Sequence, residues 1–274
     1  MRRWVYRRCL SVRPTQLGAL LKVLLGIRRR YVPTADGATL WVDPASQLGY
    51  EVLATGRYEP SMEGIVRALV RPGDVFVDVG ANEGYFCVLA AGIHPDVVVI
   101  AVEPQSRLGP VLLRNVEINH AHNVTVRPVA LDRVDGSLRL YLRPSTNCGA
   151  SGPYKRRLGH ASEEAVTRTL DNVLRDHALK RVRLLKIDCE GAEDRVLDGA
   201  ANALAGGGVD FIALEYHPTL GADGEARSIA LHHRLLDAGY VLTVANGNHV
   251  YHHPGDEDEL AALTPLRTGG TPQL

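Results

Sequence analysis

Cysteine is scarce in this chain of 274 residues, and its four cysteines lie far apart. Cys9, Cys87, Cys148 and Cys189 form no C-x-x-C pair, so the sequence offers no zinc-ligand set built on cysteine. A disulfide framework is equally unexpected, because such frameworks stabilise short secreted chains rather than chains of this length. These absences predict reduced thiols and a cytoplasmic protein.

An excess of charge of either sign is also lacking, since 31 lysines and arginines balance 31 aspartates and glutamates. A dedicated nucleic-acid-binding protein usually carries a basic excess, so we expect no nucleic-acid partner. The charges are nevertheless unevenly distributed. Residues 1–30 contain nine basic residues and no acidic one, which leaves the rest of the chain with 22 basic against 31 acidic residues.

No hydrophobic run is long enough for a membrane span. The run from Leu17 to Ile27 is interrupted by Lys22 and is far shorter than the roughly 20 residues that a span needs. No A-x-A-like cleavage site of a signal peptide follows it. Residues 1–30 are therefore predicted to form a basic amphipathic helix that packs on the main domain or on a second subunit. Weak contact with an anionic membrane surface is the alternative, and the oligomeric state stays open.

Internal repeats, low-complexity blocks and flexible linkers are absent as well, which favours one core domain. From about residue 70, short β-branched apolar runs alternate with helical patterns, as is typical of βα units on a parallel sheet. We predict strands over 75–79, 97–102, 124–129, 182–187, 209–214 and 240–245, and helices over 85–93, 107–119, 170–178, 192–205 and 226–238. The turn Asn246-Gly247-Asn248 predicts a terminal hairpin, hence one antiparallel strand. We expect an extension over 1–70, a ligand-binding domain over 71–255 and a tail over 256–274.

A glycine loop follows the first predicted strand of this domain, in the sequence Asp78-Val-Gly80-Ala-Asn82-Glu-Gly84. A strand that leads through glycines into a helix presents backbone N–H groups to a ligand. Gly80 and Gly84 permit positive φ, which Asn82 also tolerates. The Asp78 carboxylate can accept hydrogen bonds from an amine-bearing ligand. Glu103 ends the next strand about 20 residues later, where an acid commonly holds the ribose hydroxyls of a nucleoside cofactor.

The spacing of this loop and its charges indicate which nucleoside cofactor it binds. Its G-x-x-x-G spacing differs from the G-x-G-x-x-G of pyrophosphate-binding loops. Asp78 and Glu83 place carboxylates nearby, which disfavours a diphosphate and suits a sulfonium with an amino acid tail. S-adenosylmethionine is therefore predicted rather than NAD. A NAD-dependent oxidoreductase and a non-catalytic nucleoside-binding module on the same fold are the alternatives.

A second acidic motif, Lys186-Ile-Asp188-Cys-Glu190-Gly-Ala-Glu193, follows a later strand. Carboxylates at the carboxyl end of a strand can act as general bases, orient a hydroxyl or bind a metal. Glu215 and His217 follow the next strand and are expected to line the same crevice. Asp188 is the first candidate for the catalytic base, with Glu190 and His217 next. Magnesium at Asp188 is a further option, which we do not favour.

These motifs together resemble the FkbM-type S-adenosylmethionine-dependent methyltransferases. The resemblance rests on residues 74–85, Glu103-Pro104, 129–131, 169–171 and, above all, 185–193. It implies an α/β fold of the class I methyltransferase type, a Rossmann-like sheet of seven mostly parallel strands with one antiparallel strand. It also implies O-methylation of a hydroxyl on a sugar, polyketide or other secondary metabolite, with a small molecule or glycan as acceptor.

The resemblance assigns roles to individual residues of this chain. Cofactor-binding residues by motif match are Asp78, Gly80, Asn82 and Gly84 for the methionine part, Glu103 for the ribose and Asp132 on the adenine side. Two features depart from the family pattern. Cys189 stands where an aliphatic residue is common, and the segment 143–157 is basic. We expect that segment to be a mobile lid; recognition of an acidic or phosphorylated substrate is the alternative.

Overall fold

The computed structural model describes residues 3–13, 15–154, 161–219, 223–245, 247–261 and 267–268. The N-terminal part consists of four helices and one hairpin. These elements are α1 (Arg3–Ser11), α2 (Thr15–Leu24), β1 (Arg30–Pro33), β2 (Thr39–Val42), α3 (Gln47–Thr55) and α4 (Pro60–Leu69). No helix in the described ranges is both long and apolar enough to cross a bilayer.

The single basic helix expected near the N-terminus is in fact the pair α1 and α2, which cross in close contact. Gly18 makes this crossing possible, because a Cβ at that position would lie 2.1 Å from the carbonyl oxygen of Cys9. Local signals define the next helix. The side chain of Ser46 caps α3 by accepting a hydrogen bond from the backbone N–H of Gly49, and Gly56 ends the helix at a φ of 75°.

From residue 75 onward the chain alternates strands and helices. The elements are β3 (Val75–Val79), α5 (Tyr85–Ala91), β4 (Val98–Val102), α6 (Gly109–Ile118), β5 (Val124–Arg127), β6 (Ala130–Leu131), β7 (Gly136–Tyr141), β8 (Ser162–Arg168), α7 (Leu170–Asp176), β9 (Val182–Ile187), α8 (Glu193–Asp198), α9 (Ala201–Ala205), β10 (Val209–Leu214), α10 (Gly224–Asp237), β11 (Val241–Ala245), β12 (Asn248–His252), α11 (Glu257–Leu260) and β13 (Arg267–Thr268). All six predicted strands are present within two residues of their predicted ends.

The central sheet has the strand order β11-β12-β10-β9-β3-β4-β5, and the short β13 pairs with the outer side of β11. Strands β5, β4, β3, β9 and β10 run parallel to one another. Strand β12 runs antiparallel to both neighbours, β10 and β11, through the predicted terminal hairpin. The sheet therefore confirms the α/β class I methyltransferase fold, with seven mostly parallel strands and one antiparallel strand.

A second sheet, which the sequence analysis missed, is formed by β6, β8 and β7 in that order. Strands β7 and β8 pair antiparallel from Gly136 with Thr167 to Tyr141 with Ser162. Strand β8 escaped prediction because only Ala165 and Thr167 of its seven residues are buried, too few to produce a hydrophobic alternation.

The helix predicted over 192–205 was wrong in one respect, because it is divided into α8 and α9 at Gly199. The carbonyl oxygen of Gly199 accepts the backbone N–H of Asp171 at 3.0 Å. The Asp171 carboxylate then accepts the backbone N–H groups of Asn202 and Ala203 at 2.9 and 3.0 Å, which caps a new helix. A side chain brought in from α7 thus ends one helix and starts the next.

Two hydrophobic clusters cover the two faces of the central sheet. Phe76, Leu184 and Phe211 point to one face, where the β1–β2 hairpin, α3, α4 and α5 pack. Their neighbours in the strands point to the other face, where α7 to α10 pack. The N-terminal elements therefore share a core with the sheet. Helices on both faces leave the carboxyl ends of the parallel strands free at one edge, which is where ligands bind in such sheets.

Candidate functional site

A cavity of about 230 Å³ opens at the carboxyl edge of β3, β4, β9 and β10. Five of the nine site residues predicted from the sequence line it, namely Gly80, Asn82, Glu103, Asp188 and Glu190. They come from three different strand ends and meet because these strands are adjacent and parallel in the sheet. The loop after β3 and the end of β9 touch each other, since a Cβ at Gly80 would lie 1.9 Å from the carbonyl oxygen of Asp188.

Backbone strain is concentrated around this cavity. Three residues other than glycine that line it have positive φ angles: 45° at Glu59, 51° at Asn82 and 57° at Glu190. Each such conformation costs on the order of 1–3 kcal/mol and persists where the surrounding structure holds it in place. Strained residues of this kind cluster at functional sites. The backbone thus identifies the same cavity independently of the sequence motifs.

The lining of the cavity is strongly acidic. It contains five carboxylates, those of Glu59, Glu103, Asp188, Glu190 and Glu215, and no lysine or arginine among the described residues. Such a lining attracts a cation and repels a diphosphate. A positively charged ligand therefore fits this cavity better than a dinucleotide does.

Glu103 lies at the end of β4, buried beneath the glycine loop. Its carboxylate accepts the backbone N–H of Asn82 at 2.8 Å and that of Gln105 at 2.9 Å. Burial raises the pKa of Glu103 to about 7, although these backbone hydrogen bonds act in the opposite direction. One hydrogen bond to each oxygen leaves acceptor positions on both, which is the arrangement needed for a pair of hydroxyls.

Asp78 lies below the cavity rather than in its lining. It is almost fully buried, and its closest polar neighbours are the Cys87 thiol at 3.3 Å and the Lys186 ammonium, also at 3.3 Å. Asp78 and Lys186 are direct partners in the register of β3 and β9. The Lys186 ammonium lies 3.6 Å from Asp188 as well, so it connects the buried acid with the acid in the cavity.

Glu83, in the middle of the glycine loop, faces away from the cavity. Its buried carboxylate forms a bidentate pair with Arg29, at 2.9 Å for each contact, and the Arg29 guanidinium stacks on Trp41 at 5.5 Å. The expectation that Asp78 and Glu83 make the loop electronegative was therefore wrong, since Lys186 and Arg29 balance these two charges. The acidic character of the cavity comes from other residues.

His217 stands behind the cavity, surrounded by four carboxylates. Its Nδ1 lies 2.9 Å from Glu193, and its Nε2 lies 3.5 Å from Glu190, 3.8 Å from Glu215 and 3.9 Å from Asp188. Burial by itself lowers the pKa of His217, but the hydrogen bond to Glu193 and the surrounding charges raise it to about 9. His217 is therefore an imidazolium at neutral pH.

A candidate metal-ligand set is part of this cluster. Asp188, Glu215 and His217 each place one ligand atom within 4.8 Å of the others. A protonated imidazole has no lone pair to offer a metal, so a cation would have to displace the proton of His217.

The other two predicted site residues also lie outside the lining. Gly84 precedes α5 at a φ of 86°, and a Cβ there would lie 2.2 Å from Leu112. The loop therefore packs closely on α6 at this position. Asp132 is buried beyond β6 and forms an ion pair with Arg195, whose Nε lies 2.7 Å from its carboxylate.

A short 3-10 segment, Ser145–Ala150, covers the cavity. Gly149 packs against the side chain of Asn82, and Gly152 packs on the backbone of Glu190, where a Cβ would lie 2.8 Å from the carbonyl oxygen. Gln105 donates to the Cys148 carbonyl at 3.2 Å and fixes the segment to the end of β4. Of the basic insertion predicted to act as a lid, residues 155–160 lie outside the described residues.

Two important residues were not assigned roles from the sequence. Glu59 belongs to the N-terminal part, outside every motif, and no local signal places it in the cavity. Lys186 could have been found, since it precedes Asp188 by two residues, and residues two apart on a strand share a face. A lysine within a buried strand requires a carboxylate partner, which Asp78 and Asp188 provide.

Comparison with known proteins identifies a family and two related sequences. The model of the "Methyltransferase FkbM domain" family matches residues 78–242. "Methyltransferase 1" of Beauveria bassiana is 28% identical over an alignment of 187 residues, and the match covers 61% of this chain and 74% of that protein. The "31-O-demethyl-FK506 methyltransferase FkbM" of Streptomyces tacrolimicus is 30% identical over an alignment of 196 residues, and the match covers 60% of this chain and 73% of that protein.

Solved structures resemble the chain at lower sequence identity. The TYW2 protein of M. jannaschii in complex with AdoMet is 15% identical, covers 81% of this chain and 83% of its own, and has a TM-score of 0.40. The tRNA (uracil-54, C5)-methyltransferase of Pyrococcus abyssi is 14% identical, covers 82% of this chain and 44% of its own, and has a TM-score of 0.45.

Proposed function

The chain belongs to the FkbM methyltransferase family, and from that premise we propose that it is an S-adenosylmethionine-dependent O-methyltransferase acting on a hydroxyl of a sugar, polyketide or other small molecule. The acidic lining of the cavity is the observation that carries this proposal. S-adenosylmethionine bears a sulfonium and an α-ammonium group, and both cations suit a cavity with five carboxylates. The pyrophosphate of NAD does not.

Within this cavity we propose that Gly80 and Asn82 hold the methionine part of the cofactor and that Glu103 accepts the ribose hydroxyls. Asp78 and Gly84 support the loop from below. Asp132 is buried and forms an ion pair with Arg195, so we assign it no contact with the cofactor. The cofactor supplies, when bound, a methyl group that is already activated for transfer. The chain has to orient the acceptor and receive its proton.

We propose Asp188 as the residue that receives this proton. It lies in the cavity at the end of β9, where Lys186 and His217 approach its carboxylate at 3.6 and 3.9 Å. The two cations fix the orientation of this carboxylate toward the acceptor. His217 acts as a positioning residue in this scheme, because an imidazolium cannot accept a proton. Glu59, Glu190 and Glu215 are the remaining carboxylates of the lining that can contact the acceptor.

The acceptor we propose is a small molecule rather than a nucleic acid. Binding of nucleic acid depends on lysines and arginines that neutralise phosphates, and none lines the described cavity. The name of the Streptomyces tacrolimicus relative describes a methyltransferase that acts on 31-O-demethyl-FK506. That name supports a hydroxyl acceptor of natural-product type.

Methyl transfer from labelled S-adenosylmethionine to a panel of sugars, polyketides and short RNAs tests the proposed function. We expect label in hydroxylated small molecules only, with a methyl ether identified by mass spectrometry and NMR. The Asp188→Asn variant serves as the negative control. Transfer to carbon, to nitrogen or to RNA alone would contradict the proposed reaction.

Cofactor binding should depend on pH through Glu103. Ribose hydroxyls donate hydrogen bonds to an ionised carboxylate, so the cofactor binds to the ionised form of Glu103. Below its pKa of about 7, Glu103 holds a proton that must be released on binding. The affinity for S-adenosylhomocysteine should therefore rise about tenfold from about pH 6 to about pH 8 and then level off. Calorimetry in buffers of different ionisation enthalpy should detect release of one proton at the lower pH.

The control is the Glu103→Gln variant, in which the affinity should be lower and this proton release should be absent. An unchanged pH profile in that variant would assign the titration to another group.

The thiols support the cytoplasmic location that we propose for the protein. Cys9, Cys87, Cys148 and Cys189 are all free, and the first three are buried. Burial raises the pKa of Cys87 and of Cys148, the latter to about 12, so neither is a reactive thiolate at neutral pH.

A further inference from the structure

Helices α1 and α2 expose an unusual amount of apolar surface. Thirteen large apolar side chains stand exposed in the described residues, and six of them lie between residues 4 and 25. These six are Trp4, Leu17, Leu20, Val23, Leu24 and Leu25, with exposed fractions of up to 75% at Leu24. Apolar surface that is both exposed and contiguous marks an interaction site on a protein.

The exposed side chains of α2 form a stripe on one face. Leu17, Leu20 and Leu24 are spaced by three and four residues, which places them on the same side of a helix. The opposite side of α2 is already packed. There Gly18 contacts the backbone of Cys9, and Lys22 pairs with Asp43 and with the Ser145 hydroxyl. The stripe therefore remains uncovered because the helix docks through its other face.

The segment that carries this stripe is rich in exposed cations. Five arginines of residues 7–30 are exposed, namely Arg7, Arg8, Arg13, Arg28 and Arg30, and the sequence from 1 to 30 contains no acidic residue. The rest of the chain has 22 basic against 31 acidic residues, so the net positive charge lies in the part that carries the apolar stripe. A partner that meets this surface must accept apolar side chains and supply negative charge along the same face.

We propose that α1 and α2 form a docking surface for an anionic phospholipid bilayer. The apolar stripe enters the boundary between headgroups and acyl chains, and the arginines contact the lipid phosphates. The surface lies in the plane of the membrane, since neither helix is long enough to cross it. This inference is independent of the acceptor and of the residues assigned to catalysis.

Co-sedimentation with lipid vesicles tests the proposal on the full chain. We expect binding to phosphatidylcholine vesicles that contain about one third phosphatidylglycerol, weak binding to pure phosphatidylcholine, and weaker binding at high salt. The double variant Leu20→Glu, Leu24→Glu should reduce the partition coefficient by more than tenfold. The matched control is Val134→Glu, Val166→Glu, which places the same charges at exposed apolar positions elsewhere.

A second pair of variants separates charge from apolar insertion. Removing two cations in Arg7→Gln, Arg8→Gln should lower the partition coefficient roughly 30-fold on anionic vesicles. The matched control, Arg139→Gln, Arg175→Gln, removes two exposed arginines that lie outside α1 and α2. It should leave vesicle binding unchanged. Equal binding to neutral vesicles, or retention of binding in the Leu20, Leu24 variant, would overturn the proposal. Self-association of the protein in the absence of lipid would also overturn the proposal if the Leu20, Leu24 variant abolished it. In that case a second copy of the chain would cover the stripe.

Discussion

Replacing Asp188 by asparagine should lower kcat by about two to four orders of magnitude, the range attributed to a positioned general base. Asparagine keeps the shape of the side chain but cannot take the proton of the acceptor hydroxyl. The affinity for S-adenosylhomocysteine should stay within about threefold, because Asp188 is assigned to the acceptor rather than to the cofactor. Single-turnover methyl transfer to the acceptor found in the panel measures the first quantity, and calorimetry measures the second.

The control for this variant is Asp237→Asn, which removes a carboxylate at the exposed end of α10. It should leave both quantities unchanged. If Asp188→Asn kept kcat within about twofold, the base would have to be sought at Glu59, Glu190 or Glu215. If it lost cofactor affinity in proportion to rate, Asp188 would be a ligand of the cofactor.

Replacing Lys186 by methionine should destabilise the protein by about 3–5 kcal/mol, the usual cost of removing one partner of a buried ion pair. Lys186 and Asp78 are both almost fully buried, and their charged atoms lie 3.3 Å apart. Without the ammonium, the polar contact left to the Asp78 carboxylate among the described side chains is the weakly polar Cys87 thiol. Urea denaturation, followed by circular dichroism, measures the change in the free energy of unfolding.

The exposed Lys180 provides the control, since Lys180→Met should change stability by less than about 0.5 kcal/mol. Adding Asp78→Asn to Lys186→Met should recover more than half of the lost stability, because the unpaired buried charge is then gone. A single Lys186→Met variant as stable as the wild type would mean that solvent or local rearrangement compensates for the ammonium.

The inner strands β3, β4, β9 and β10 were predictable because they are largely buried on both faces and read as continuous apolar runs. Strand β3 was predicted over 75–79 and is found there. Strand β8 was not predictable in this way, since Ser162–Arg168 has a polar face and follows a long loop. The division of α8 from α9 depends on Asp171, about thirty residues earlier in the chain, and such long-range capping leaves no trace in a local window.

The site was predictable where it depends on strand ends. Gly80, Glu103 and Asp188 meet because parallel strands deliver their carboxyl ends to one edge. Charge pairing was harder to anticipate. The sequence gives no indication that Arg29 balances Glu83, or that four carboxylates surround His217, because these contacts join segments far apart in the chain.

The ion pair between Arg29 and Glu83 makes the segment before the β1–β2 hairpin part of the same cooperative unit as the glycine loop. Glu83 belongs to that loop, and its only described cationic partner comes from the segment that precedes the β1–β2 hairpin. Detaching this segment would leave a buried carboxylate without a countercharge, at a cost comparable to that expected for Lys186. Heating should therefore melt the hairpin and the loop in one transition, with no stable species in which the loop remains folded alone.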